Sequence, residues 1–372
     1  MKNKLAFLFL CFAISLFARR EPDILFYLQD AGETYALLPV IRKLQEKGSD
    51  VQILVAGVAE EAVVKGGISK SRVLTFQDLG VKTVIDRSWG RREKLSEQDL
   101  AKVLDQIAPK QVVTGVAFES QGQILDAFRN IGVPTYAFWD NFNFDGENLY
   151  FQTAHSVEVR AETLLLPSSF LETAFADRKS KRVVGQPTLE TWDDEMAAVE
   201  PALIREKLGI SPEQKVALFI GGYGEDYEEA FRLFLEGASL EKGILFLIQP
   251  HPKMRGVYEQ GFPLLKNVRL LNGEASTVEA ASISDLVICH QSTVAYQALS
   301  AKKALIHVIP PAQHFDSIPL QKGVAFKVSR AEDFHSAIVK ANLSPPPDLA
   351  QLLGIPKNST DRICEVLLEG VQ

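Results

Sequence analysis

The sequence predicts an α/β protein built from two doubly wound domains, each a parallel sheet covered by helices on both faces, with the two facing across a cleft. Short, continuously apolar runs alternate with amphipathic stretches along the chain, which is the pattern of strands buried on both faces. The alternation halts at a polar stretch near the middle and then restarts. At 372 residues, 46% hydrophobic and 23% charged, the chain is long enough for two domains with cores of their own.

In the first half, "DILFYL" (23–28) is a strand, and "QDAGE" (29–33) leads into a helix with Leu37, Val40, Ile41 and Leu44 on one face. Gly48 stops that helix and "VQILVAG" (51–57) is the next strand. "QVVTGVA" (111–117), a helix to Asn130, "IGVPTYAFWD" (131–140) and "ETLLLPS" (162–168) continue the series. This domain spans 21–188, and the polar segment 189–201 reads as a linker. The second domain, 202–357, begins with "KVALFIGG" (215–222) and a helix through Phe231 and Phe234. It goes on through "GILFLIQPHP" (243–252), "NVRLLNG" (267–273), "DLVICHQST" (285–293), a helix and "ALIHVIPP" (304–311). The tail 358–372 reads as a helix with Ile363, Val366 and Leu367 as its apolar stripe and Ser359 or Thr360 as its cap, returning to the first domain.

Composition excludes several functions. A net charge of −7 offers no basic face for nucleic acid. Three cysteines, Cys11, Cys289 and Cys364, make no disulfide framework, and Cys289 inside an apolar run reads as a buried free thiol. No metal-ligand spacing, Walker loop or nucleophile elbow is present. Residues 1–20 join Lys2 and Lys4 to an apolar stretch, Leu5 to Ala18, and end in Arg19 and Arg20. That stretch is short for a bilayer span and fits a signal-peptide core, yet Leu16 and the two arginines disfavour cleavage and export. A cleaved signal and a retained anchor both stay open.

Ligands of such sheets bind outside the carboxyl ends of the strands. In the second half those positions hold Gly221, Gly222, Tyr223 and Gly224, then Gln249, His251 and Lys253, then Asn272, Gly273 and Glu274, and finally His290, Gln291, Ser292 and Thr293. Glycine turns, hydroxyls at a helix start and a nearby cation suit a phosphate. The plain alternatives are a tight turn and a helix cap. In the first half Asp30 and Glu33 follow the first strand and are the candidate general bases, although carboxylates in a first helical turn also answer the helix dipole. Glu119, Asp140 and His155 are further candidates at strand ends and on a helix.

With "QDAGETYALLPVIRKLQEKG", "VVGQPT", "FIGGYG", "IQPHPK" and "SDLVICHQSTVAYQALSAKKALIHV" in that order, the chain resembles the GT-B superfamily of nucleotide-sugar-dependent glycosyltransferases, whose domains are Rossmann-like. The His-Pro element with a Ser/Thr strand end is most similar to capsule and teichoic-acid-type polymerases and some sialyltransferases. The resemblance implies that His251, Ser292 and Thr293 hold the phosphates of a nucleotide-activated sugar or polyol, with no bound metal, and that the acceptor is a glycan or lipid-linked chain of the cell envelope. Where the superfamily often has a ribose-binding glutamate this chain has Gln297, and where Gly-x-Pro is usual it has Lys302, Lys303 and Ala304. Cytosolic donors fit an enzyme held at the cytoplasmic membrane face by its leader. The alternatives are a UDP-N-acetylglucosamine 2-epimerase-type enzyme, whose paired glycines "HQSTVAYQAL" lacks, and an exported two-domain binding protein. "ENLYFQT" (147–153) matches a tobacco etch virus protease site; the helical pattern across it favours an ordinary helix start over an engineered insertion.

Overall fold

The computed structural model describes residues 19–82, 92–144, 149–222, 226–251, 259, 261–262, 265–315, 317–344 and 346–370. The chain divides into two units: one runs up to Pro187 and takes in Gly354–Gln372, the other is Thr188–Leu353.

Among its described residues the first unit has seven strands: β1 (Ile24–Leu28), β2 (Val51–Val55), β3 (Val73–Thr75), β4 (Gln111–Thr114), β5 (Thr135–Phe138), β6 (Thr163–Leu166) and β7 (Lys181–Val183). They are ordered β3-β2-β1-β4-β5-β6-β7 and all pair in parallel. Its helices are α1 (Ala31–Glu46), α2 (Ala59–Lys65), α3 (Glu97–Gln106), α4 (Glu119–Arg129) and α5 (Leu149–Glu158). Every residue of β1 is fully buried, as a strand covered on both faces requires. One face packs Phe26, Leu28, Ile53 and Val113 against α1; the other packs Leu25, Tyr27, Leu54 and Val112 around Phe76, Ile124 and Phe128.

The stretch expected as a linker, 189–201, is mostly helical. Pro187–Ala198 forms α6 and Pro201–Lys207 forms α7, the latter started by a proline whose missing N–H costs nothing in a first turn. Among its described residues the second unit has six strands: β8 (Lys215–Ile220), β9 (Ile244–Gln249), β10 (Val268–Leu270), β11 (Leu286–Cys289), β12 (Ala304–Val308) and β13 (Phe326–Val328). Their order is β10-β9-β8-β11-β12-β13, again parallel throughout. Around them lie α8 (Tyr227–Leu240), α9 (Thr277–Ser282), α10 (Val294–Ser300), α11 (Ile318–Gln321), α12 (Phe334–Leu343) and α13 (Leu349–Leu353). Phe219, Phe231, Phe234, Phe246 and Phe334 form the aromatic centre of this core, with Phe219 and Phe234 stacked at 4.0 Å.

The closing helix α14 (Ser359–Glu369) belongs to the first unit. Ile363, Cys364 and Leu367 are fully buried in the α1 core, Gln111 Nε2 donates to the Leu367 carbonyl at 2.7 Å, and Lys43 pairs with Asp361 at 2.5 Å. Its N-cap is Asn358 in the left-handed region (φ 60°), a conformation asparagine tolerates, so Ser359 is already inside the helix. Arg20 N–H donates to the Gln106 carbonyl and Ala108 N–H to the Arg20 carbonyl, at the amino-terminal edge of the sheet. Among the described residues no helix is long and apolar enough to cross a membrane; residues 1–18 lie outside them.

Candidate functional site

Each sheet has a point where strand order reverses, between β1 and β4 in the first unit and between β8 and β11 in the second. The strand ends flanking it splay their connections apart and leave the usual ligand crevice.

At the first reversal Asp30 caps α1, its carboxylate accepting from Ala31 N–H at 3.0 Å, and it stays partly exposed. Glu33 is 1% exposed. Its Oε1 accepts from Gln29 N–H (2.6 Å), Asp30 N–H (3.0 Å) and Gln121 Nε2 (2.7 Å). Burial, opposed by the Gln121 hydrogen bond, pushes the Glu33 carboxyl up to about 8. Its other oxygen lies over Gly115 at the end of β4, where any Cβ would overlap it. Beneath it, Tyr27 donates to Gln29 Oε1 at 2.7 Å and Ser120 to the same oxygen at 2.8 Å, all three side chains sealed. The two candidate bases are therefore unlike: Asp30 is half-buried at the helix start, whereas Glu33 is sealed from solvent.

The further carboxylates hold structure. Glu119 takes Arg160 at 2.5 Å, across Gly122, whose lack of a side chain admits that arginine. Asp140 accepts from the Tyr150 hydroxyl at 2.6 Å and stands against Gly32 in the first turn of α1. His155 lies on α5, its ring 5.1 Å from that of Trp139.

At the second reversal Ile220, Gln249 and Cys289 are in register on β8, β9 and β11. Gly221, His251 and His290 thus emerge from three neighbouring strands, roughly 5 Å apart. His251 is half-buried, as is Ser292, whose Oγ accepts from Val294 N–H at 3.2 Å; Thr293 is exposed and Gln297 half-buried. Tyr223, Gly224 and Lys253 lie outside the described residues. Asn272 and Gly273 are exposed, and Glu274 pairs with Arg269.

The glycines here answer to packing. A Cβ on Gly222 would stand 2.6 Å from the Tyr227 ring, and one on Gly221 would stand 2.9 Å from Glu259 Oε1. Glu259 is 1% exposed, accepts from the Tyr227 hydroxyl at 2.6 Å, and leaves Oε2 buried with no hydrogen-bond partner. Burial and this carboxylate push the Tyr227 phenol well above its ordinary value.

Below the turn, His307 on β12 is 1% exposed, and its Nδ1 donates to the His290 carbonyl at 2.9 Å. Burial pushes His307 down to about 4, so it is neutral. Cys289 Sγ is 3.5 Å from the same nitrogen, and burial pushes that thiol up to about 12.

No family model and no curated protein matches the sequence. Solved structures do match. The UDP-GlcNAc 2-epimerase of Neisseria meningitidis bound to UDP-GlcNAc is 14% identical, with a TM-score of 0.64 over 93% of this chain and 99% of that one. The UDP-GlcNAc 2-epimerase of Methanocaldococcus jannaschii gives 12% and 0.67 over 93% and 99%. The glycotransferase of kitacinnamycin gives 12% and 0.58 over 94% and 100%. The fold is GT-B. Among the strand-end candidates, Asp30, His251, Ser292 and Gln297 are half-buried, Thr293 is exposed and His290 is buried.

Sequence reasoning missed Tyr227, Glu259, Gln121 and His307. The glycine doublet was a signal for the first two, which pack against it; no spacing marks Gln121 or His307.

Proposed function

We propose that this chain is a nucleotide-sugar enzyme of the epimerase type. The supporting observation is the match over 93% of this chain and 99% of an epimerase solved with UDP-GlcNAc. The nucleotide phosphates lie against His251 and the hydroxyls of Ser292 and Thr293. Gly221 and Gly222 do not cradle them, because the adjacent Glu259 carboxylate would repel them.

Epimerisation moves a proton from one face of a sugar carbon to the other, so it needs a group that can both take a proton and reach the sugar. Asp30 meets the access requirement. Glu33, sealed and triply hydrogen-bonded, instead fixes the Asp30 turn from behind.

A second reading is glycosyl or phospho-polyol transfer to a glycan or lipid-linked acceptor. It is favoured by the "HQSTVAYQAL" strand end, which lacks the paired glycines of the epimerases, and by the match to the kitacinnamycin glycotransferase. In that case the leader holds the chain at the cytoplasmic membrane face, with the amino-terminal edge of the first sheet nearest the bilayer because Arg20 is hydrogen-bonded there.

One incubation separates the two. Purified protein with UDP-GlcNAc and no acceptor should convert it to the 2-epimer, observed by proton NMR. Inertness or slow hydrolysis to UDP overturns the epimerase reading in favour of the transferase. Stabilisation by no nucleotide sugar in a thermal-shift series overturns both and leaves the exported binding-protein alternative.

A further inference from the structure

The loop after β12 brings Gln313 to the ring of His290. His290 Nε2 and Gln313 Oε1 are 2.7 Å apart. The same amide is tied at its other end, where Gln313 Nε2 donates to the Asp226 carbonyl at 2.9 Å and to Glu229 Oε2 at 3.3 Å. Both partners there accept only, so the NH2 must face them and Oε1 must face the histidine. An amide oxygen cannot donate, so the proton between them belongs to His290 Nε2. The ring's second nitrogen, Nδ1, then presents a lone pair, and it has no hydrogen bond among the described residues. Burial holds the ring below its ordinary value and keeps it neutral.

The surroundings share this polarity. Across the strand-order reversal the Tyr227 ring lies 6.5 Å from that of His290, and its hydroxyl is already committed to Glu259. Glu259 Oε2 and Gln249 Oε1 are both buried acceptors without a hydrogen-bond partner. An array of acceptors invites hydrogen-bond donors and rejects phosphate.

We propose that His290 reads a hydroxyl of the substrate's sugar through Nδ1, and that Gln313 is the positioning residue that fixes its tautomer. This rests on the nucleotide-sugar reading above. It gives His290 a role opposite to phosphate binding, and it separates a hydroxyl-reading centre, at β8 and β11, from the phosphate-holding side chains beside it.

Two measurements test it on the full chain. Nitrogen-15 spectra of histidine-labelled protein, assigned with His290→Gln, should show His290 neutral and protonated on Nε2. Protonation on Nδ1, or an imidazolium near pH 7, overturns the assignment. Calorimetric titration then compares UDP with UDP-GlcNAc for wild type and Gln313→Glu, whose carboxylate charges the ring and removes its lone pair. The variant should keep UDP affinity within about twofold and lose about tenfold for UDP-GlcNAc, the scale of one lost hydrogen bond. Equal losses for both ligands place His290 on the phosphates and overturn the inference, as does no loss for either. Should Gln313→Glu fail to fold, Gln313→Met, which leaves the tautomer unfixed, carries the same comparison. Wild type binding neither ligand refutes the nucleotide-sugar reading itself, while the spectra still decide the Gln313 assignment.

Discussion

Glu33→Gln tests whether the first crevice is closed by a neutral acid. The native carboxyl is held up to about 8 from an ordinary value of 4.5, with burial as the largest cause. In the unfolded chain it ionises near its ordinary value, so between about pH 4.5 and about pH 8 the folded state holds one proton more than the unfolded state. Stability is therefore full below the unfolded value and is lost as pH rises through the folded one. At about 1.4 kcal/mol per unit, the ceiling of that loss is about 5 kcal/mol. Glutamine keeps an oxygen for the three donors and has no proton to lose, so it removes the slope. Urea unfolding with pulsed methanethiosulfonate labelling reads each unit separately, because Cys364 is buried in the first and Cys289 in the second. From pH 5 to pH 8.5 the Cys364 midpoint of Glu33→Gln should gain on wild type by several kcal/mol, while the Cys289 midpoint should not shift. A Cys364 difference that is flat across this range would show Glu33 ionised throughout and refute the argument.

The other expectations are simpler. Asp30→Asn keeps a side-chain acceptor for the α1 cap, so melting should hold while kcat falls about 10²–10⁴-fold; unchanged turnover removes Asp30 from the chemistry. His251→Ala should weaken UDP binding by about tenfold in calorimetry, and unchanged affinity would dissociate that residue from the phosphates. Leu367→Ala, at a fully buried site on the α1 core, should cost the first unit about 2–5 kcal/mol in urea unfolding, against no change in the second. Native protein treated with iodoacetamide at pH 8 should resist labelling at Cys289 and Cys364, whose thiols burial pushes up to about 12 and about 11; rapid labelling of either would mean its unit opens readily.

The fold was legible because its central strands are apolar without interruption: "DILFYL", "KVALFIGG" and "DLVICHQST" leave little choice but a sheet covered on both faces. What stayed hidden lies at the margins. β3, β7 and β13 are three-residue edge strands, too short for any period to show. The segment 189–201 looked like a linker because "TWDDEMAAVEP" is acidic, yet acidic residues on a solvent-facing helix read the same in one dimension. At the end of the chain, serine and threonine advertised a cap that a left-handed asparagine supplies.

At the end of β8 the glycines have a packing cause that spacing in the sequence does not show. In sequence, a glycine doublet straight after β8 suggests a phosphate cradle. The packing gives another cause. Tyr227 leans on Gly222 and Glu259 on Gly221, and neither partner can be inferred from spacing, since Glu259 is 38 positions from Gly221 and meets it only because β9 lies beside β8. The same logic runs in the first unit, where Gly115, just after β4, is glycine to admit the side chain of Glu33 from α1. In both sheets a glycine at the reversal of strand order makes room for a buried carboxylate, and each carboxylate is held by a neighbour that donates to it: Gln121 in one, Tyr227 in the other. A residue type that signals an anion site in sequence thus marks, in both units, a place where a buried carboxyl side chain packs against the strand end.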